Sequence, residues 1–188
     1  MTNRRYLIGI IVIFMVVAGV VFHLIFSQPE EPMPTADRTE KSEPLSTVKG
    51  AEVNLYFTDK DGLFLTAESR TVPRAEDPAI QGRHIIEALI KGPAKGSART
   101  VPEATALRAI YVTENGRAYV DLKDGIMDHH PGGSKSELMS IYSIVNSLVL
   151  NVQAIRSVKI LVDGREAMSL AGHVDLRFPF KANMLMVR

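Results

Sequence analysis

Two clusters in this chain carry residue types that could do chemistry. The first is Asp124 with the run Asp128-His129-His130. Carboxylates and imidazoles can ligate zinc, but two adjacent histidines reach one ion only if the backbone turns between them. No third ligand stands at a recognised spacing, so these are expected to be solvated loop residues ahead of a helix. There the charge of Asp128 suits a helix N-terminus. The second cluster is Asp163, His173 and Asp175. A carboxylate–histidine pair can support general acid–base work. No serine, threonine or cysteine in a nucleophile motif accompanies it, and Ser169 is near only in sequence. Asp163-Gly164 reads more simply as a turn, and His173 as a polar residue positioned by Gly172. Gly132-Gly133 lacks the lysine and the spacing of a phosphate-binding loop. The sequence therefore predicts no catalytic, cofactor-binding or metal-ligating residue, and no cofactor.

The elements that must position these residues follow from periodicity. Ala51 to Phe57 alternates as a strand, Thr58 to Gly62 is a turn, and Leu63 to Val72 is a second strand closed by Pro73. A helix should start at Asp77-Pro78, with aspartate as cap and proline in the first turn. Its apolar stripe is Gly82, Ile85, Ile86, Leu89 and Ile90, and Gly92-Pro93 ends it. After a loop over residues 94–106, Leu107 to Thr113 and Arg117 to Leu122 form a hairpin. Asn115-Gly116 is expected there as a type I′ turn, since both residues tolerate positive φ. Residues 124–133 read as a loop. A second helix opens with Ser134-Lys-Ser-Glu137, a capping-box pattern, and carries the stripe Leu138, Ile141, Val145, Leu148, Val149 and Val152. Ser157 to Val162 is a further strand. This order suits an α+β domain, one mixed sheet with two helices packed on one face.

The first 27 residues decide where such a domain would work. Arg4 and Arg5 precede an uncharged apolar run of 21 residues, Tyr6 to Phe26. As a helix it is about 31 Å long, enough to cross a hydrocarbon core. It exceeds the usual core of a cleavable signal and ends without an Ala-x-Ala pattern, so a signal anchor over residues 1–27 is expected. The positive-inside rule keeps the arginines cytoplasmic. His23 reads as a tolerated polar residue near the outer end. Residues 28–49 are rich in proline and glutamate and should form a disordered tether. Residues 50–188 then form one extracytoplasmic domain on a single-pass protein of the bacterial cytoplasmic (inner) membrane. That domain carries 17 Lys+Arg against 16 Asp+Glu and no basic stripe with interleaved aromatics, which argues against nucleic acid. The chain has no cysteine, so packing alone must hold the fold.

Leu55-Tyr56-Phe57, Leu89 to Pro93, Val101-Pro102, Val120-Asp121-Leu122, Ile160 to Gly164 and Gly172 to Leu176 stand in an order that resembles the GerMN domain family. This family occurs in bacterial sporulation, spore-germination and other envelope proteins. The resemblance spans residues 52–180. It implies a compact α/β module outside the cytoplasmic membrane, anchored by a lipid or one helix, with no catalytic residues to carry over. It also implies a non-catalytic role in binding or organising envelope components, peptidoglycan among them. The chain departs from the sporulation members in having one copy of the domain and no lipid-acceptor cysteine. The alternative is an enzyme or accessory factor acting on cell-wall polymer, with His173 and its neighbours as the site.

Fractionation checks the anchor. Full-length chain should sediment with the inner membrane, its C-terminal part open to protease added from outside. A mature N-terminus near Gln28 would instead mean a cleaved signal.

Overall fold

The structure, a computed structural model, describes residues 50–188; the expected membrane span Tyr6–Phe26 and the tether 28–49 lie outside the described residues. No helix among the described residues is long and apolar enough to cross a membrane. The chain opens with β1 (Gly50–Thr58) and β2 (Leu65–Pro73), an antiparallel hairpin in which Gly50 faces Pro73 and Thr58 faces Leu65. Helix α1 (Pro78–Ile90) follows. The Asp77 side chain accepts from the N–H groups of Ala79 and Ile80 at 2.7 and 3.0 Å, satisfying donors that a helix start leaves free. Gly92, at φ 87°, ends the helix as the Gly-Pro pair predicts.

Next come β3 (Leu107–Val112), β4 (Arg117–Leu122), a one-turn helix α2 (Gly125–Asp128), the long helix α3 (Ser134–Val149), β5 (Ser157–Val162) and the two-residue β6 (Arg165–Glu166). A short 3₁₀ turn spans Met184–Met186. Strand order in the second sheet is β3-β4-β5-β6. Its β4–β5 pair is parallel and the others antiparallel, so the sheet is mixed as expected. A parallel pair needs a crossover, and α3 supplies it.

Four expectations need correction. The strands form two sheets, not one, because β1 and β2 pair only with each other as strands. The outer edge of β1 is taken instead by side chains of α3 and of Asn151 just beyond it. Asn151 Oδ1 accepts from Asn54 N at 2.8 Å while its Nδ2 donates to Asn54 O at 2.7 Å. Ser147 Oγ accepts from Tyr56 N at 3.1 Å, and Ser143 Oγ donates to Tyr56 O at 2.5 Å. Residues 143, 147 and 151 recur every four positions, so they line one helix face and meet alternate residues of the strand.

The hairpin turn also differs. Only Gly116 has positive φ, at 78°, and Gly116 N donates to Thr113 O at 2.9 Å. This is a type I turn followed by a glycine bulge, which positive φ at one residue suffices to close. The two-residue type I′ conformation belongs to Asp163-Gly164, at φ 49° and 75°, between β5 and β6. The capping box is absent too: Gly133 caps α3, and Glu137 is buried with other partners. Finally, the expected 124–133 loop contains α2.

The apolar stripes meet in one core. Ile85, Ile86 and Leu89 of α1 and Ile141, Val145 and Leu148 of α3 pack with Leu55, Phe57, Val120 and Ile160. A Cβ on Gly82 would lie 2.8 Å from Ile110 Cδ1, so glycine is what lets α1 sit this close to β3.

The edge bonding generates a stability test. Ser147→Ala leaves the buried Tyr56 N–H without an acceptor and should cost about 1–3 kcal/mol. Leu150→Ala, at a side chain 42% exposed, should stay within about 0.5 kcal/mol in the same urea titration. Equal effects would mean that these bonds do not hold the hairpin to the helix.

Candidate functional site

The most concentrated ionisable chemistry gathers around the first turns of α3. Glu137 is fully buried. Its Oε1 accepts from the N–H groups of Leu170 and Ala171 at 2.7 and 3.1 Å, and its Oε2 from His173 N at 2.9 Å. The His173 imidazole Nδ1 stands 3.4 Å from Oε2, with the side chain 43% exposed. Burial opposes ionisation of Glu137, but the backbone donors of Ala171, His173, Leu170 and Val174 together outweigh it and hold the carboxyl below its usual range. It is thus a charged anchor at neutral pH rather than a poised base.

His130 belongs to the same cluster and is not the solvated loop residue expected. Its Nδ1 accepts from Gly132 N at 3.0 Å, which fixes the neutral tautomer and leaves Nε2–H to donate to Ser140 Oγ at 3.0 Å. Ser140 Oγ–H in turn donates to Thr100 O at 2.5 Å. Burial pushes the His130 pKa down, the Glu137 charge opposing and His173 adding to the fall. His129 is exposed, its Nδ1 3.3 Å from Gly125 O. Asp128 closes α2, and Asp124 precedes that helix without a side-chain capping bond. No metal-binding group of three or more such side chains occurs among the described residues. Gly132 and Gly133, at φ 81° and 86°, lead the chain into α3.

The second sequence cluster comes together only in part. His173, Asp175 and Ser169 line one shallow cleft of about 210 Å³ with Arg177. Asp163 does not line it; it sits in the β5–β6 turn, near Arg108. Asp175 is held by Arg177, which donates Nε and Nη2 to the carboxylate at 3.0 and 2.9 Å and keeps its pKa low. Ser169 Oγ accepts from Gly172 N at 2.8 Å, a turn contact. Each of these groups therefore has a structural partner at close range.

Larger concavities lie elsewhere, where sequence reasoning did not look. Two adjoining clefts of about 400 and 500 Å³ meet at Pro78, Gln153 and Ala154, beside the N-terminus of α1. Glu52, Glu76, Asp77 and Glu114 line them against Arg74 and Arg156. Gln81, buried on the wall of the larger one, accepts from Ala75 N through Oε1 at 2.7 Å, while its Nε2 is buried with no hydrogen-bond partner among the described residues. The only sequence signal was a glutamine inside the buried face of α1, a polar residue where the stripe calls for an apolar one.

Acid titration distinguishes Glu137 from His130. The lowered Glu137 pKa adds stability that is complete above the unfolded value of 4.5 and lost as pH falls through the folded one. The lowered His130 pKa adds stability complete above 6.5 and lost on descent from there. Stability should fall from about pH 6.5 and more steeply below 4.5. Glu137→Gln should cost about 1.5–3 kcal/mol at pH 7 and shrink the lower step, to which Glu68 also contributes, while leaving the upper one in place. An unchanged acid limb in that variant would refute the role given to Glu137.

Residues 54–167 match the Germane family, described as sporulation and spore germination. Among solved structures, the chain is similar to a protein described as a lipoprotein from Clostridium perfringens, with 27% identity, TM-score 0.50 and coverage of 70% of this chain and 87% of that one. It is also similar to the first GerMN domain of the sporulation protein GerM from Bacillus subtilis, with 17% identity, TM-score 0.56 and coverage of 71% and 98%. Against the tandem GerMN domains of that protein the values are 18%, 0.55, 69% and 45%, so the chain spans less than half of the tandem. No curated protein matches the chain. The order of strands and helices, the mixed sheet and the matched span together identify the chain as a member of the Germane family of GerMN-type sporulation and germination domains.

Proposed function

We propose that this protein displays one GerMN-type module outside the cytoplasmic membrane, where it binds or organises other envelope components without catalysing a reaction. The observation that carries this reading is the state of Glu137. A general base needs a free lone pair facing substrate, and here three backbone N–H groups of the 170–173 segment occupy the carboxylate. The neighbouring groups are similarly engaged, with Ser169 in a turn and Asp175 on Arg177. Groups that could do chemistry serve instead to hold a loop. Family membership agrees, since GerMN-type domains of sporulation proteins are not a known enzyme family. The near-balance of 17 basic and 16 acidic residues over positions 50–188 favours partners recognised by shape and hydrogen bonding over capture of a polyanion. The apolar run Tyr6–Phe26 supports an inner-membrane location with a tethered outer domain.

The test is direct. Full-length chain incubated with purified peptidoglycan sacculi should release no soluble fragments, and His173→Ala should leave its retention on envelope fractions unchanged. Fragment release abolished by His173→Ala would establish the cell-wall enzyme reading in its place.

A further inference from the structure

The four-stranded sheet ends differently at its two edges. At one edge lies β6, only Arg165 and Glu166, both exposed. A short, charged edge is how natural sheets avoid pairing with other chains. At the other lies β3, six residues long, whose stretch Ala109-Ile110-Tyr111-Val112 carries no charge and no proline. Thr113 N donates to Arg117 O, and Tyr111 faces Tyr119, so the antiparallel alternation turns the N–H and C=O groups of Ile110 and Val112 away from β4. Among the described residues no backbone or side-chain hydrogen bond from outside the sheet reaches them. By contrast, every second residue on the outer edge of β1 from Asn54 to Thr58 is bonded, by Asn151, by α3 or by Ala98. Tyr111 is 61% exposed, a large ring standing free on an otherwise ordered strand.

We propose that two copies of this chain pair through their β3 edges, antiparallel about a two-fold axis at Tyr111, to make one continuous sheet. The strand is self-complementary about that residue. With Tyr111 opposite its counterpart, Ile110 of each copy meets Val112 of the other, and these are the residues whose free donors and acceptors point outward. Four backbone bonds can then form across the axis. The register also brings Arg108 of each copy toward Glu114 of the other. Arg108 is half exposed and bound to Asp121, with guanidinium N–H groups to spare, while Glu114 is exposed. The two Tyr111 rings meet as a cross-strand aromatic pair flanked by Tyr119 on each side, covering the ring that the single copy leaves open. A heterologous partner strand would need its own match to this pattern; a second copy already has it. This assembly goes beyond the proposed function and stands or falls separately from it.

The absence of cysteine allows a clean test in the full-length chain. Directly opposed residues of an antiparallel pair lie within disulfide reach, whereas residues 109 of the two copies would be ~14 Å apart in this register. Under mild oxidation Tyr111→Cys should give a dimer of twice the mass, and Ala109→Cys alone should not. A mixture of Ala109→Cys and Thr113→Cys chains should cross-link, because those positions face each other. Tyr111→Lys sets two cations at the axis and should weaken self-association in sedimentation roughly tenfold or more, with thermal melting unchanged. Cross-linking of Tyr111→Cys no faster than of Ala109→Cys, or equal sedimentation of wild type and Tyr111→Lys, would overturn the proposal.

Discussion

Everything in this domain depends on the polar side chains that α3 turns inward. A helix buried on most of its surface would ordinarily be apolar all round. Here Glu137, Ser140, Ser143, Asn146 and Ser147 are buried, and together they bond the backbone of four different segments. Ser143 and Ser147, with Asn151 just beyond the helix, hold the edge of β1. Ser140 holds Thr100, Asn146 bonds both the N–H and the C=O of Asn183, and Glu137 holds the 170–173 segment. Buried backbone groups left unpaired cost about 1–3 kcal/mol each, so the helix satisfies what two separate sheets and several irregular segments would otherwise leave open.

That arrangement explains what could and could not be read from the chain. The extents of α1 and of β1 to β5 follow from local signals: the aspartate cap, the Gly-Pro stop, and apolar residues every three or four positions. The stripe of α1 is buried as periodicity predicts at Gly82, Ile85, Ile86 and Leu89. In α3 the same rule finds Ile141, Val145 and Leu148 but passes over Ser143 and Ser147, which are just as buried. Polar residues at four-residue spacing look like a solvated face; only the strand beside them reveals otherwise. The separation of β1 and β2 from the other strands was invisible for the same reason, since a hairpin's partner is not written in its own alternation.

Turn and cap patterns failed where a local rule met a tertiary competitor. Ser134-Lys-Ser-Glu137 has the spacing of a capping box, yet a glutamate in the first turn can also reach donors outside the helix. Three N–H groups from the 170–173 segment outbid the single reciprocal contact. Asn115-Gly116 and Asp163-Gly164 are both candidates for a type I′ turn, and the strand registers assigned that turn to the second. The candidate site was read in its parts but not in its connections. His173 and Asp175 do share a cleft, while His130 enters the cluster only because α2 and the two glycines return the chain to Ser140.

Glu137 is one case of a device used twice more. Glu68, buried on β2, accepts from Ala94 and Lys95 at 3.1 Å and from Arg70; burial works against its charge, yet these donors hold its pKa low. Asp121, buried on β4, accepts from Gly164 N at 2.8 Å and pairs with Arg108. Each carboxylate stands on a regular element and fixes a loop or turn distant in sequence. The apolar core does not titrate, whereas the attachments made by Glu68 and Glu137 weaken when those two carboxylates take up protons. Acid should therefore loosen the loops around residues 94 and 170 before it reaches the core, as local openings of lower free energy than global unfolding. The same logic bears on function. A carboxylate that must stay ionised to hold its own chain is kept from proton transfer.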